Sequence, residues 1–248
     1  MHKGKIIDSL LSTLNFGATV KDIRLGIFQT AVVTRHGGLA ATIPFDVLRQ
    51  TSILIQESGS LLDKTPEELA RMALSETLLE AVIGMATINS LLERDSVPGT
   101  ELNAGHLIMK KGEGKRVAII GHFPFTPKVR EKAKELWVIE KNPREGDSGE
   151  ASAEKLIPQA DLVAITGTSL TNHTIEDLLS LCDPAAFVIL LGDTAPLSPA
   201  LFEFGIDAIS GTRVVDPELT LRYISQGASF RQIKRGIRLL TLLKDGKI

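Results

Sequence analysis

A chain of 248 residues, 43% of them hydrophobic and 23% charged, can bury a sizeable core without disulfide or metal staples. A formal net charge of −2 leaves no overall basic surface, so neither nucleic acid nor an anionic membrane is expected as a partner. The single cysteine, Cys182, excludes an internal disulfide, the opening MHKGKIIDSLL lacks the long apolar core of a signal peptide, and no apolar run reaches the ~20 residues of a membrane span; a cytoplasmic protein is expected.

Residues 4–14 (GKIIDSLLSTL) place Ile6, Ile7, Leu10, Leu11 and Leu14 on one helical stripe. IRLGIF (23–28), AVVTR (31–35) and LAATI (39–43) read as an antiparallel meander, with Gly37 and Gly38 in a tight turn. Thr65-Pro66-Glu67-Glu68 is a helix start, and two helices are expected, one to about Ala73 and one over Glu76 to Glu93. Between Arg94 and Arg116 the periodicity fails. Pro98, Gly99, Gly105, Gly112 and Gly114 accumulate there beside Lys110, Lys111 and Lys115, which reads as a solvated linker and a domain boundary, dividing the chain into 1–100 and 101–248.

Beyond residue 116, short apolar runs alternate with helical segments. VAIIG, LWVI (136–139), LVAIT (162–166), FVILL (187–191) and IDAIS (206–210) are five strands apolar enough to be covered on both faces, hence a mainly parallel α/β sheet. The last segment, SFRQIKRGIRLLTLLKD, reads as an amphipathic helix with Arg231, Lys234, Arg235 and Arg238 on a solvated face.

Four of the five strands run into glycine. Three of those joints lead to a capping residue followed by proline: Gly121 to Thr126-Pro127, Gly192 to Ser198-Pro199, and Gly211 to Asp216-Pro217. The fourth leads from Gly167 through TSLTNH to Thr174, with Asp177 three residues later. In a parallel sheet these joints share one rim, where open α/β sheets bind ligands and helix N-termini favour anions. Capping and proline start helices everywhere, but these loops also carry hydroxyl and amide groups that capping does not require. Gly121, His122, Phe123, Pro124, Glu140, Gly167, Thr168, Asn172, Thr174, Gly192, Thr194 and Gly211 are therefore the candidate ligand contacts.

Glu140 stands 19 residues beyond Gly121, where an acid grips a ribose hydroxyl in dinucleotide folds. Yet His122, Phe123 and Pro124 fill the places where glycines would let backbone approach pyrophosphate, which disfavours NAD or FAD. His122, Glu140, Asp147, His173 and Asp193 form a candidate set for a divalent transition metal, without any HxH, HExxH or CxxC spacing behind it. His122 and His173 are also the candidate general acid/base groups. No GxSxG is present, Ser169 and His173 specify no triad, Cys182 reads as a packed thiol, and His36 and His106 as turn residues.

GHFPF, EKNPREGD, ADLVAITGTSLTNHTIEDLL, GDTAPLSPALFEFGIDAISG and VVDPE together resemble a prokaryotic family described as putative heavy-metal chelation proteins. IRLGIFQTAVV, GGLAATI and IGMATINSLL look like that family's other domain. The resemblance implies an N-terminal α+β domain like that of enolase, then a Rossmann-like domain, with a site in the cleft between them that Gly37 to Ala40 and Asn89 would face. It also implies a ligand that is a heavy metal or metal chelate. Two departures stand out: Ser148-Gly149 where proline often follows GD, and GDTAPL where GPSTPL is common, which adds the Asp193 carboxylate. The residues also admit an enzyme acting on a nucleotide-like, pterin-like or carboxylate metabolite, or an assembly module with a vestigial cleft. A homo-oligomer is compatible with any of these.

Overall fold

The computed structural model describes residues 4–42, 54–94 and 99–244. Ile43 and Pro98, which the sequence assigns to a strand end and to the linker, lie outside the described residues. The opening helix is α1, Lys5–Ser12, with Ile6, Ile7, Leu10 and Leu11 buried along its stripe. Its N-terminus is closed from far along the chain. The buried Glu176 carboxylate accepts from the Gly4 and Ile6 N–H groups at 3.1 and 3.3 Å. An anionic acceptor there pairs donors the helix leaves open and meets the positive end of its dipole.

Three strands, β1 (Asp22–Leu25), β2 (Gln29–Val33) and β3 (Gly37–Ala41), form an antiparallel sheet in sequence order. Helix α2 (Pro66–Arg71) begins at a capping box: Glu68 N–H donates to Thr65 Oγ1, and Thr65 N–H donates back to the Glu68 carboxylate. Helix α3 (Leu78–Leu91) is buried without interruption from Ala81 to Ile88, as expected of a helix that is apolar all round. Gly37 and Gly38 do not form the expected turn but belong to β3. A Cβ on Gly38 would stand 2.1 Å from the Ala86 carbonyl oxygen, so glycine is what lets α3 lie directly on the sheet.

The stretch expected as a linker contains α4 (Ala104–Gly112), capped by Asn103, whose Oδ1 accepts from His106 N–H at 3.2 Å. Gly105 and Gly112 weakened the periodic signal, but they are contact points: a Cβ would meet Phe125 at the first and Val117 at the second. Lys110 and Lys111 fall in the last turn, where cations suit the dipole.

Then follow β4 (Arg116–Ile120), α5 (Thr126–Arg130), β5 (Glu135–Glu140), β6 (Ser148–Gly149), α6 (Ala153–Leu156), β7 (Leu162–Thr166), α7 (Thr168–Thr171), α8 (Ile175–Ser180), β8 (Phe187–Leu191), β9 (Ala208–Val214), α9 (Pro217–Ser225) and β10 (Ile237–Leu243). They build a sheet in the order β10-β9-β8-β7-β4-β5-β6, parallel except for β10 against β9. All five expected strands are present, and the fold is α/β. Strand order runs outward from β4 in both directions, so it reverses between β4 and β7.

The C-terminal helix expectation fails. Residues 237–243 pair with β9 over the whole strand, and only Ile233–Gly236 makes a short 3-10 turn. The apolar run IRLLTLL suits either period, and pairing with β9, the neighbouring strand, decides it. Arg231, Lys234, Arg235 and Arg238 are exposed, as expected, but on a turn and a strand rather than one helical face.

The largest core cluster takes residues from both sides of position 100, including Ile6, Val82 and Met85 with Val163, Ile165 and Leu190. Each such fully buried side chain contributes roughly 1.5–3 kcal/mol, so the two sheets share one apolar seam. Among the described residues no helix is long and apolar enough to cross a membrane.

Candidate functional site

The rim formed by the carboxyl ends of the parallel strands has an open part and a sealed part. The open part begins where β4 ends. Gly121 has φ 105, a left-handed conformation that suits glycine, and a Cβ there would stand 3.1 Å from the Thr166 side chain, so the ends of β4 and β7 touch at the order reversal. Next to it, His122 reaches across to the loop after β5, placing Nε2 2.6 Å from Asp147 Oδ2. The same carboxylate oxygen accepts from Arg144 N–H at 2.8 Å, which locks the loop in a tight turn. His122 Nδ1 makes no hydrogen bond among the described residues. Desolvation pushes the Asp147 carboxyl up, but the Arg144 N–H and the His122 ring outweigh it and hold it below its usual range. The Asp147 side chain is only 5% exposed, while the His122 ring bonded to it is 28% exposed.

Phe123 stacks on Phe125 with ring centroids 5.2 Å apart, and Phe125 presses on Gly105 of α4. Pro124 is exposed between them. Thr126 is not the expected N-cap: Phe125 holds that position, Thr126 is the first residue of α5, and its buried Oγ1 has no partner. Glu140 ends β5, opposite Gly149 of β6, and is half-buried on the Asp147 side of the rim.

After β7 the expected polar loop is mostly helix. Gly167 leads straight into α7, and its hydroxyls turn inward: Ser169 donates to the Thr166 carbonyl and Thr171 to that of Thr168. Asn172 Oδ1 accepts from Thr174 N–H and Oγ1, so this pair is self-paired, and the Thr174 side chain does not cap α8. Thr168, half-buried, shares a hydrogen bond with Thr166 at 3.0 Å and stays at the open part. His173 takes a left-handed φ of 56 and places Nε2 2.8 Å from the Ser75 carbonyl, to which it donates. It therefore ties α8 to the N-terminal half instead of joining His122.

The sealed part follows β8. Thr194 Oγ1 accepts from Ala41 N–H at 2.9 Å, and Asn89 Nδ2 donates to the carbonyls of Leu39 and Thr194 at 2.8 and 3.2 Å. The loop from Gly192 thus covers the free edge of β3. Asn89, expected to face a cleft, instead holds that cleft shut here. Burial pushes the Asp193 carboxyl up to about 6, against hydrogen bonds from its own N–H, the Gln29 side chain and Thr194 N–H. Some of the residue's surface meets solvent, but the carboxyl itself is enclosed. Nothing in the chemistry-bearing motifs of the sequence singles out Gln29. Its signal was parity: it faces the same way as the buried Ala31 at the head of an apolar strand. Gly211, expected at a strand end, lies inside β9 opposite Leu240.

The five candidate metal ligands therefore do not form one centre. His122 and Asp147 pair, Glu140 stands on the same side, His173 is bound to Ser75, and Asp193 is bound to Gln29. Among the described residues no three His, Cys, Asp or Glu side chains gather closely enough to hold a metal ion. Cys182 is a packed thiol whose pKa burial raises to about 11.

Residues 103–242 match the family DUF364 and residues 7–92 the family DUF4213, both described as "Putative heavy-metal chelation". A crystal structure of a DUF364 protein of unknown function from Desulfitobacterium hafniense superposes with a TM-score of 0.85 at 25% identity, covering 98% of both chains. Another from Pyrococcus horikoshii gives 0.82 at 20% identity, over 98% of this chain and 100% of that one. The uncharacterized protein MJ0500 of Methanocaldococcus jannaschii is 29% identical over 188 residues, 73% of each chain. With a DUF364 match running from α4 to β10, across both parts of the rim, the chain belongs to the family described as putative heavy-metal chelation proteins.

Proposed function

We propose that the protein binds a small metal chelate at the open part of the rim, with His122 Nδ1 as the protein's donor to the metal. The observation that carries this reading is the 2.6 Å contact of His122 Nε2 with Asp147. A carboxylate on one ring nitrogen fixes the ring and leaves the other free to ligate, the usual arrangement behind a metal-bound histidine. One imidazole with nearby carboxylates suits a borderline divalent transition metal but is too few ligands to hold a bare ion tightly. The cargo that fits is a metal whose other positions are filled by a small polar ligand. Glu140 and Thr168 stand at the same rim to contact that ligand. The strand order β6-β5-β4-β7-β8-β9 supports the location, because it is the Rossmann order, and in such sheets ligands sit at the reversal. His122, Phe123 and Pro124 in place of glycines set the site against a dinucleotide. We place this activity in the cytoplasm.

Calorimetry on chelator-treated protein tests it, titrating Ni²⁺, Co²⁺ and Zn²⁺ alone and as citrate or histidine complexes. The complexes should bind more tightly than the bare ions, and His122→Ala should weaken them about 10–100-fold. No heat from any of them, with an unchanged melting temperature, overturns the proposal. The same His122–Asp147 pair favours a second reading, an enzyme with His122 as general acid/base on a nucleotide-like, pterin-like or carboxylate metabolite. Thermal stabilisation by such a metabolite without metal selects that reading.

A further inference from the structure

The sealed part of the rim holds a second, chemically different arrangement. Asp193, Gln29 and Asn89 meet there, and each of the two amides keeps a buried oxygen without a partner. Asn89 Nδ2 faces backbone carbonyls of Leu39 and Thr194, so its orientation is fixed and its buried Oδ1 has no partner. Gln29 is 5% exposed and stands opposite Ala41, whose N–H donates to Thr194 next to Asp193, and its buried Oε1 has no partner. Flipping the Asn89 amide would set oxygen against oxygen, so its orphan acceptor follows from the fold. Among the described residues no basic side chain contributes to the environment of Asp193. A buried carboxylate without a positive partner and two unpaired buried carbonyl oxygens are each expensive on their own.

We infer that Asp193 and Gln29 seat a hard, oxygen-ligated cation at the seam between the two sheets, on the loop that Asn89 positions. A carboxylate and amide oxygens suit an alkali or alkaline-earth ion, with water completing the shell, and suit a transition ion poorly. A trapped water would pair the oxygens but leave the charge uncompensated. The seat is separate from His122. Asp193 follows β8 and His122 follows β4, two strands along the sheet and so about 10 Å away.

The test is calorimetry and thermal melting of chelator-treated protein at pH 7.5 and matched ionic strength, with Mg²⁺, Ca²⁺, K⁺ and Na⁺ in separate arms. At least one should bind with one-site stoichiometry and raise the melting temperature. Asp193→Asn should abolish that binding, and Gln29→Met, which keeps the length but removes the oxygen, should weaken it at least tenfold. Should Asp193→Asn fail to fold, Gln29→Met alone decides. His122→Ala should leave hard-cation binding unchanged, while Asp193→Asn leaves transition-metal chelate binding unchanged, so the two sites fail separately. Absence of binding in all four arms, or equal binding by the Asp193→Asn or Gln29→Met protein, overturns the inference.

Discussion

Asp147 and Asp193 occupy equivalent places, each in a loop leaving the carboxyl end of a parallel strand, and they have opposite chemistry. Asp147 is held below its usual range by a backbone N–H and a partly exposed imidazole. Asp193 is raised to about 6 because the N-terminal half closes over it. Both loops leave the same edge of the sheet. What differs is whether the three-stranded sheet covers the loop, so in this molecule the second sheet sets the electrostatics of that part of the rim.

The most severe way to break the contrast is to lift that cover. Gly38→Val would drive a side chain into the Ala86 carbonyl and the Ser90 N–H and separate α3 from β3. A loss of about 3 kcal/mol or more is expected, read by denaturant unfolding. Next comes the charge beneath the cover. Because the folded pKa of Asp193 is raised from 3.8 to about 6, its contribution is most favourable below the unfolded value and declines as pH rises through that window. In ion-free buffer Asp193→Asn should therefore stabilise the protein at pH 7.5 by up to about 3 kcal/mol. The gain should shrink towards pH 4, and a pH series of melting curves measures it.

Asn89→Ala removes the amide that fastens the loop to β3. Its expected loss is about 1–2 kcal/mol, with Asp193 moving towards an ordinary pKa as water enters. The smallest stability effect belongs to the open part. Asp147→Asn should lower stability by less than about 1 kcal/mol, since solvent screens the pair. That loss should appear at neutral pH and fade as pH falls below the normal carboxylate range, because a lowered pKa stabilises only the ionised form. Chelate binding through His122 should nonetheless fall about 10–100-fold, measured by calorimetry.

Local patterns carried far into this fold. The five parallel strands were legible because strands covered on both faces are uniformly apolar, and their order along the chain put every joint on one rim. IRLLTLL was not, since its apolar run satisfies a helix as well as a strand and only pairing with β9 decides between them. TSLTNH suggests a loop of free donors, but short polar side chains bonding back to their own turn make Thr168–Thr171 the helix α7. The sequence singles out both His122 and Asp147, but their contact depends on how the loop after β5 folds back. Gln29 was out of reach for a similar reason: its partner lies on a loop more than 160 residues away.

The cap on α1 bears on how the chain comes to be folded. Glu176 lies 172 residues after Gly4, and the core beneath α1 is completed by residues such as Val163 and Leu190. As the chain is synthesised, the first helix must wait for more than two thirds of the protein before its leading turn is closed. Folding is thus expected to depend on late, long-range contacts, and a fragment ending near residue 100 should remain loosely packed.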